Sequence, residues 1–476
     1  MALRFFNTYS RALEDFHPID PAGREVKMYT CGPTVYSRAH IGNFRAYVFE
    51  DLLQCHLEVR GFVVRRVMNL TDVDDKTIRG SRAENLSLGK FTAPFKSAFF
   101  EDLAALRIKM PNEFPAATEE RYVAAMIAMI ATLIERGLAY QAEDKSVYFR
   151  INRFPNYGHL AHFDLAELRS TGRVKSDEYD KEHVGDFALW KAWDAEDGEV
   201  GWESPWGRGR PGWHIECSAM ATSLLGEQLD IHCGGVDNIF PHHEAEIAQS
   251  EGCSGRAPFV RYWLHCAHLL VEGQKMSKSL GNFFTLPDLF AKGYSGREIR
   301  YALLRVHYRA PLNFTWEGLE ESRQSLARID DWLRRLWESA RAGNLQPHRP
   351  IAIEDDGFAV ALDDDLNISA ALGHLFEKIR ESNRELDAGV DSARALAWLQ
   401  WWERISNVLA LEATEAKPSD EIVQMAEDRA RARMDRDWRK SDELRDTLNA
   451  RGWDVRDTKD GQIVTPRPRL TMPNDA

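Results

Sequence analysis

Residues 26–68 constrain this chain more than any other stretch. Val26-Lys27-Met28-Tyr29-Thr30 reads as a strand and Cys31-Gly32-Pro33-Thr34 as a Gly-Pro turn. From Ile41 to Arg60 the apolar residues Phe44, Tyr47, Val48, Leu52 and Cys55 recur near helical spacing, and Gly61 ends the pattern. Phe62-Val63-Val64 through Val67-Met68 then reads as a strand buried on both faces. Strand, helix and strand in this order imply a right-handed parallel crossover, the unit of doubly wound α/β sheets. Ligands of such sheets lie beyond the carboxyl ends of the strands, where His40 and Thr71 both fall.

His40-Ile41-Gly42-Asn43 stands at the start of the helix. A helix N-terminus offers free N–H groups and partial positive charge, which suit a phosphate. Gly42 permits close approach of a nucleotide, and His40 supplies a hydrogen-bond donor. A His-x-Gly alone is commonly a cap. Far along the chain, Lys275-Met276-Ser277-Lys278-Ser279 lies between Gly273 and Gly281. Two lysines three apart in a Gly-flanked loop form a cationic lid able to neutralise triphosphate charge in a transition state. A lone lysine pair is usually a solvated loop. Both signatures in one chain, in this order, point to nucleotide chemistry.

The 476 residues suggest two to four domains. From 122 to 206 the pattern loosens: a helix, a strand at 147–151, then a Gly-, Asp- and Trp-rich stretch that reads as an insertion in the sheet. Order returns with a helix at 215–225, a strand at 229–233, a Gly234-Gly235 turn and a helix starting near Pro241, a favoured first-turn residue. Beyond Leu319 strand signals almost vanish, and helical patterns at 319–336 and 370–386 dominate, with breaks at 343–350 and 413–418. The longest uncharged apolar run, 122–134, falls short of the ~18 residues a membrane span needs. The N-terminus has no apolar segment of signal-peptide length, so the cytoplasm is the default. Six scattered cysteines without a CxxC pair argue against a disulfide framework. A net charge of −13 argues against a protein that coats nucleic acid non-specifically. A local basic run (Arg429, Arg431, Arg433, Arg436, Arg439, Lys440) is interrupted by acids and reads as a solvated helix face.

The two signatures resemble the HIGH and KMSKS motifs of class I aminoacyl-tRNA synthetases. The text around them is similar to the cysteinyl-tRNA synthetase family: Tyr29-Thr30-Cys31-Gly32-Pro33-Thr34-Val35-Tyr36, Asn69-Leu70-Thr71-Asp72-Val73-Asp74-Asp75-Lys76, Gly212-Trp213-His214-Ile215-Glu216-Cys217-Ser218-Ala219-Met220 and Phe240-Pro241-His242-His243-Glu244. The resemblance runs from about Phe6 to Gly461. It departs at Asn43, which stands where the motif has His and carries no charge.

The resemblance implies a Rossmann-like α/β catalytic domain on a doubly wound parallel sheet with an insertion. An all-α helical bundle and a small C-terminal anticodon-binding domain follow. The corresponding bounds are 1–121 and 207–265 for the halves of the catalytic domain, and 122–206 for the insertion. They are 266–318 for a stem-contact region with the lysine loop, 319–415 for the bundle and 416–476 for the anticodon domain. The implied partners are ATP with Mg2+, L-cysteine and cysteine tRNA, and the implied state is a monomer. His40 and Lys278 would serve the phosphates and the departing pyrophosphate, with Lys275 in support and Asn43 in a lesser role. Gly32, Thr71 and Trp213 would line the amino-acid pocket, and Asp237 the adenosine or amino-group side. For Thr71, Trp213 and Asp237 a strand-end cap, core packing and a turn are equally compatible roles.

The resemblance also implies one zinc ion on Cys31, Cys217, His242 and Glu246, with the substrate's thiolate bound to the metal directly. The donor types suit zinc, and His242 and Glu246, four apart on a predicted helix, share a face. His243, Glu244 and Cys233 remain competitors: the first two point off that face, and Cys233 lies in a strand. Near the C-terminus, Arg436-Asp437-Trp438-Arg439-Lys440-Ser441-Asp442-Glu443-Leu444-Arg445 and Val455-Arg456-Asp457-Thr458-Lys459-Asp460-Gly461 resemble the anticodon unit. There Trp438 would stack on an unpaired base, or fill a domain core. Asp442 and Asp457 would accept from base edges, or sit on helix and turn surfaces. A related cysteine ligase of mycothiol synthesis shares the core but lacks this unit.

Overall fold

The computed structural model describes residues 2–163, 185–277, 280–342, 356–413, 420–451, 453–458 and 461–466. A hairpin of β1 (Arg4–Asn7) and β2 (Ala12–Asp15) leads into β3 (Glu25–Thr30), α1 (Ile41–Val59) and β4 (Val63–Met68). Next come α2 (Asp75–Ala83), α3 (Leu88–Ala105) and α4 (Glu120–Glu135), then β5 (Ala139–Gln141), β6 (Val147–Phe149), β7 (Phe187–Ala192) and β8 (Gly209–Pro211). The chain continues through α5 (Trp213–Leu225), β9 (Leu229–Gly235), α6 (Glu244–Ser254), β10 (Val260–Cys266), β11 (Leu269–Val271) and β12 (Gln274–Lys275). After α7 (Leu286–Ala291), α8 (Gly296–Leu304) and β13 (Leu312–Phe314) it is largely helical: α9 (Trp316–Ala342), α10 (Gly357–Asp363), α11 (Ile368–Ala388), α12 (Ser392–Leu409), α13 (Asp420–Met434) and α14 (Trp438–Ala450). It ends in a hairpin of β14 (Trp453–Thr458) and β15 (Gly461–Pro466).

The central sheet has the order β10-β9-β3-β4, with every pair parallel. Thr30 pairs with Met68 on one side and Cys233 on the other, so the chain order reverses between β3 and β9. That switch point, where parallel sheets open a crevice, carries Cys31 at the end of β3 and Gly234-Gly235 at the end of β9. The expectation that β4 is buried on both faces fails in its first half. β4 is the edge strand, and Val63 is 66% exposed while Val67 and Met68 are covered.

Residues 139–211 hold more order than their sequence suggests, an antiparallel sheet β5-β6-β7-β8. Phe149 stacks on Phe187 at 5.0 Å, and Trp190 is fully buried. Tyr122 and Met126 of α4 and Met220 of α5 join these residues in one apolar cluster, so the insertion shares a core with the sheet. The helix expected from Pro241 begins later, at Glu244. Phe240 leaves helical backbone (φ −136°, ψ 133°), and His242 and His243 sit in the irregular turn before α6.

Helix α1 is held along its length by buried polar contacts. Arg45 donates to the carbonyls of Leu303, Val306 and His307. Asp51 pairs with Arg300, both fully buried, and Arg300 also donates to the carbonyls of Leu106, Arg107 and Leu409. His56 meets Asp363 at 2.9 Å. The run Asp363-Asp364-Asp365, just ahead of the Asn367 cap of α11, therefore does tertiary work. Asp364 binds Arg4, and Asp365 accepts from Tyr308, Arg309 and the Phe6 amide. The fully buried Asp51–Arg300 pair would cost about 3–5 kcal/mol if one partner were removed.

Residues 1–286 and 296–411 form one compact unit, and residues 287–295 and 412–476 a second. In the second unit Ile422, Ala426, Leu448 and Val455 form a small core of its own. The antiparallel hairpin β14–β15 there was hidden in the sequence by its charges. Among the described residues no helix is long and apolar enough to cross a membrane.

Candidate active site

At the start of α1, His40 takes extended backbone and acts as N-cap: its Nδ1 accepts from the Gly42 amide at 3.1 Å. Asn43 Oδ1 accepts from the His40 amide at 3.1 Å, which closes a reciprocal capping box. Asn43 thus orients His40 through its oxygen, a structural part that does not need the charge of a His. A Cβ on Gly42 would lie 2.9 Å from Met276 Cε and 3.0 Å from the His40 ring. Gly42 is what lets the lysine loop fold over the helix start. The loop is held there by Phe283, edge-on to His40 at 4.9 Å, and by the Ile41 amide donating to Phe284 O at 3.0 Å. Lys275 is exposed at the end of β12. Lys278 and Ser279 lie outside the described residues.

Below this rim lies a cluster of metal-type donors. One atom each from Cys31, Cys217, His242 and Glu246 lie within 4.8 Å of one another. A second set, Cys31, His232, His243 and Glu246, meets the same test. Glu246 Oε1 is 3.2 Å from His242 Nε2, and Oε2 is 3.0 Å from His232 Nε2. His243 does not point away, because the irregular turn swings its Nε2 to 3.4 Å from Cys31 Sγ. Its Nδ1 meets His265 Nε2 at 2.8 Å, and His265 Nδ1 meets Thr8 Oγ1 at 2.8 Å. His214 lies 2.9 Å from His242, and Trp213 stacks on the His242 ring at 4.4 Å. Glu244, another competitor, is occupied elsewhere, accepting from the Gly158 and Ala161 amides. Cys233 is buried in β9, and its carbonyl receives the Cys31 amide at 3.4 Å. All six cysteines are free thiols.

The electrostatics of the cluster favour a cation. A hydrogen bond with Cys217, then burial, push the Cys31 thiol well up, and burial raises Cys217. Burial raises Glu246 against the pull of His232, and drives His242 and His243 well below the usual imidazole range. Left alone, these groups are driven neutral; a dication among them supplies the missing charge and favours thiolate and carboxylate. Two sulfurs, an imidazole and a carboxylate fit zinc. Sequence reasoning missed His232 and His265. Their one signal was a histidine set between two apolar neighbours in each of two strands.

The rest of the wall is equally tied. Gly32 is forced by packing, since a Cβ would fall 1.7 Å from Asn69 O, and its amide donates to Asn69 Oδ1 at 2.9 Å. Asn69 Nδ2 donates to Thr71 Oγ1 at 3.2 Å, and Thr71 Oγ1 to Glu216 Oε2 at 2.9 Å. Glu216, buried and not singled out in the sequence, therefore sets the direction of the Thr71 hydroxyl. Trp213, 44% exposed, and Asp237 stand on the wall of the same cavity, about 590 Å³, which also takes in Cys31, His40 and Lys275.

In the second unit Trp438 is not a core residue: it is 56% exposed, with Arg433 5.4 Å above its ring. Asp442 is exposed and pairs with Arg445 at 3.1 Å. Asp457 lies on β14 opposite Gln462, and its side chain is outside the described residues. The basic run is not wholly a solvated face, because Arg429 is buried and donates to Gln462 Oε1 at 2.8 Å.

A parallel sheet with these two loops meeting at its switch point is the catalytic domain of a class I tRNA synthetase. The family model described as tRNA synthetases class I (C) catalytic domain matches residues 17–324. A DALR domain matches 357–413, and a Cysteinyl-tRNA ligase anticodon binding domain 423–464. The chain is 49% identical over 481 residues to the cysteine–tRNA ligase of Chlamydia muridarum (strain MoPn / Nigg), covering 98% of this chain and 99% of the relative. It is 47% identical over 478 residues to that of Protochlamydia amoebophila (strain UWE25), covering 96% and 97%. The chain belongs to the cysteine–tRNA ligase family. Among solved structures, a LeuRS of Agrobacterium radiobacter K84 in a ternary complex with tRNA and LeuAMS shares the fold at TM-score 0.61 and 12% identity, covering 83% of this chain and 85% of that one. The methionyl-tRNA synthetase of Mycobacterium tuberculosis with methionyl-adenylate does so at TM-score 0.54 and 17% identity, covering 81% and 82%.

Proposed function

We propose that the chain activates L-cysteine with ATP and esterifies it to the 3′ end of cysteine tRNA, as a cytoplasmic monomer. The observation that carries this reading is the buried Cys31–Cys217–His242–Glu246 cluster opening into the same cavity as His40 and Lys275. The cysteine carboxylate attacks the α-phosphorus of ATP, and the bond to the β-phosphate oxygen breaks, giving cysteinyl-adenylate and pyrophosphate. A terminal ribose hydroxyl of tRNA then attacks the acyl carbon, loses its proton and releases AMP. Neither step asks for a strong protein base. Catalysis is positioning plus charge stabilisation.

His40, fixed by its own cap, faces the phosphates, Asn43 holds it there, and Lys275 and Lys278 offset charge on the leaving pyrophosphate, which Mg2+ would accompany. Thr71, oriented by Glu216, and Trp213 bound the amino acid, Gly32 lets the turn pack closely, and Asp237 faces the amino or adenosine side. Trp438, Asp442 and Asp457 belong to anticodon reading. The chemistry of Cys31, Cys217, His242 and Glu246 fits a resident zinc ion, whose preference for soft sulfur would select cysteine over serine. An apolar pocket alone separates near-isosteres by only ~10². A cysteine ligase for a small amine is the nearest rival. The matches at 357–413 and 423–464 favour tRNA.

The test is cysteine-dependent ATP–pyrophosphate exchange, with tRNA charging by filter assay, before and after verified metal removal. Loss of the cysteine-over-serine preference with the metal is expected. An unchanged preference in metal-free enzyme removes the zinc role, and absence of charging removes the tRNA.

A further inference from the structure

The proposed reaction brings three reactants to one cavity, and the wall described so far serves two of them. The cluster under Cys31, with Thr71 and Trp213, takes the amino acid. The capped start of α1 and the lysine loop take the nucleotide. Beyond Thr71, on the β4 side of the sheet, the same cavity has a rim of different character, made of Tyr36, Ser37, Arg38 and Lys76.

This rim is rigid where it is anchored and open where it faces out. Val35 is buried and its amide donates to Thr71 O at 3.0 Å, while the Thr71 amide donates to Pro33 O at 3.2 Å. The next residue, Tyr36, is nevertheless 36% exposed. Lys76, exposed in the first turn of α2, holds its ammonium 5.0 Å from the Tyr36 ring centroid. The helix start that carries it is capped by Asp74, whose Oδ1 accepts the Lys76 amide at 2.6 Å. The neighbouring Asp75 carboxylate is taken by Lys191 at 3.1 Å and by Arg210. Among the described residues the Lys76 ammonium has no carboxylate partner. Arg38 adds a second cation at the rim, its guanidinium forked onto Asp102 at 3.0 and 2.6 Å.

An exposed ring fixed by its backbone, with an unpaired ammonium over it, matches a single-stranded nucleotide: bases stack on aromatic faces and lysines meet phosphates. We propose that Tyr36 and Lys76 form the seat of the tRNA's terminal adenosine. The base takes the Tyr36 ring, and the Lys76 ammonium moves to the phosphate on its 5′ side. The terminal ribose is thereby brought past Thr71 to the acyl carbon. This inference rests on the synthetase reading and adds the subsite for its third substrate.

The experiment separates the two half-reactions. With Tyr36→Ala, cysteine-dependent pyrophosphate exchange keeps its wild-type rate, which also reports that the enzyme is folded. Single-turnover transfer from preformed cysteinyl-adenylate to tRNA slows roughly 10- to 100-fold. Tyr36→Phe keeps the ring and restores transfer. Lys76→Ala weakens tRNA binding and lowers the log–log salt slope by about 1. A tRNA with 2-aminopurine at its terminal position loses fluorescence on binding the wild type and keeps it with Tyr36→Ala. Unchanged transfer in Tyr36→Ala overturns the seat, and an equal fall in exchange and transfer assigns Tyr36 to ATP or to the fold. Failure of the wild type itself in cysteine exchange overturns the synthetase reading instead.

Discussion

Around Cys31 the potential metal donors are sunk in the core and held by one another and by further residues: Cys217 meets Cys31, His232 grips Glu246, and His214 grips His242. Around His40 the groups proposed to face the phosphates stand on the cavity wall, and helix capping does the holding, with Lys275 exposed. The difference follows from what each region must discriminate. Sulfur and oxygen differ by softness and size, so a selecting site gains from donors whose geometry is fixed and from which water is excluded. Triphosphate charge is large and long-ranged, so cations that arrive over it suffice. Changes in the first region should therefore alter which amino acid reacts. Changes in the second should alter how fast.

The largest expected effect is His242→Ala. It removes one of the four donors while leaving the ATP signatures intact. Cysteine-dependent exchange should fall by roughly four orders of magnitude, the scale at which a site built for a polar group rejects a partner it can no longer pair. Metal analysis of the purified variant should show the ion lost. Exchange near the wild-type rate would break the contrast outright.

Next is Asp51→Asn, on α1 but away from both regions. It strips the counter-charge from the fully buried Arg300, and about 3–5 kcal/mol of stability should be lost in urea unfolding. Lys275→Ala should slow exchange roughly 10²- to 10³-fold, as for loss of one transition-state contact. Its unfolding free energy should stay within about 0.5 kcal/mol of wild type, because the residue is exposed. Equal losses of rate and stability would mean the loop is structural.

The smallest effect concerns pH. Burial alone would raise Asp363, but bonds from His56 and Arg60 outweigh it and hold the carboxyl below its ordinary range. Asp356, the other acid near Arg60, stands 3.2 Å from it. A depressed folded pKa stabilises fully above the unfolded value of about 4 and is lost as pH falls below it. Asp363→Asn should therefore cost about 1.5–3 kcal/mol near neutrality, and the gap to wild type should close in acid unfolding curves. A gap constant down to pH 2 would show that packing, not charge, is what Asp363 supplies.

The β3–α1–β4 unit was legible because its periods are long enough to read and its ends are marked by Gly32 and Gly61. His40 and the lysine loop were legible as a pair because each is a compact string. Within 139–211 only the strand read at 147–151 was legible, and it appears as β6; strands of three residues such as Ala139–Gln141 and Gly209–Pro211 show no alternation to detect. His232, His265 and Glu216 were illegible for another reason. Each is a polar residue between two apolar neighbours on a buried stretch, and only the packing of β9, β10 and α5 shows what it faces. The tertiary contacts of the Asp363-Asp364-Asp365 run were illegible because its partners, Arg4, His56 and Arg309, lie up to 360 residues away. The irregular turn before α6 undid the face argument for His243, which assumed regular helix from Pro241 onward.

The contacts of Arg300 and Asp363 also bear on how such a chain can be taken apart. Domain models divide it between residues 324 and 357, as if the catalytic part could be expressed alone. Cutting there would leave Arg300 without the Leu409 carbonyl, and His56 and Arg60 facing a cavity where Asp363 had been. The two matched stretches are not separate in assembly. A minimal version has to retain the helices through residue 411, or replace those three polar groups with apolar ones.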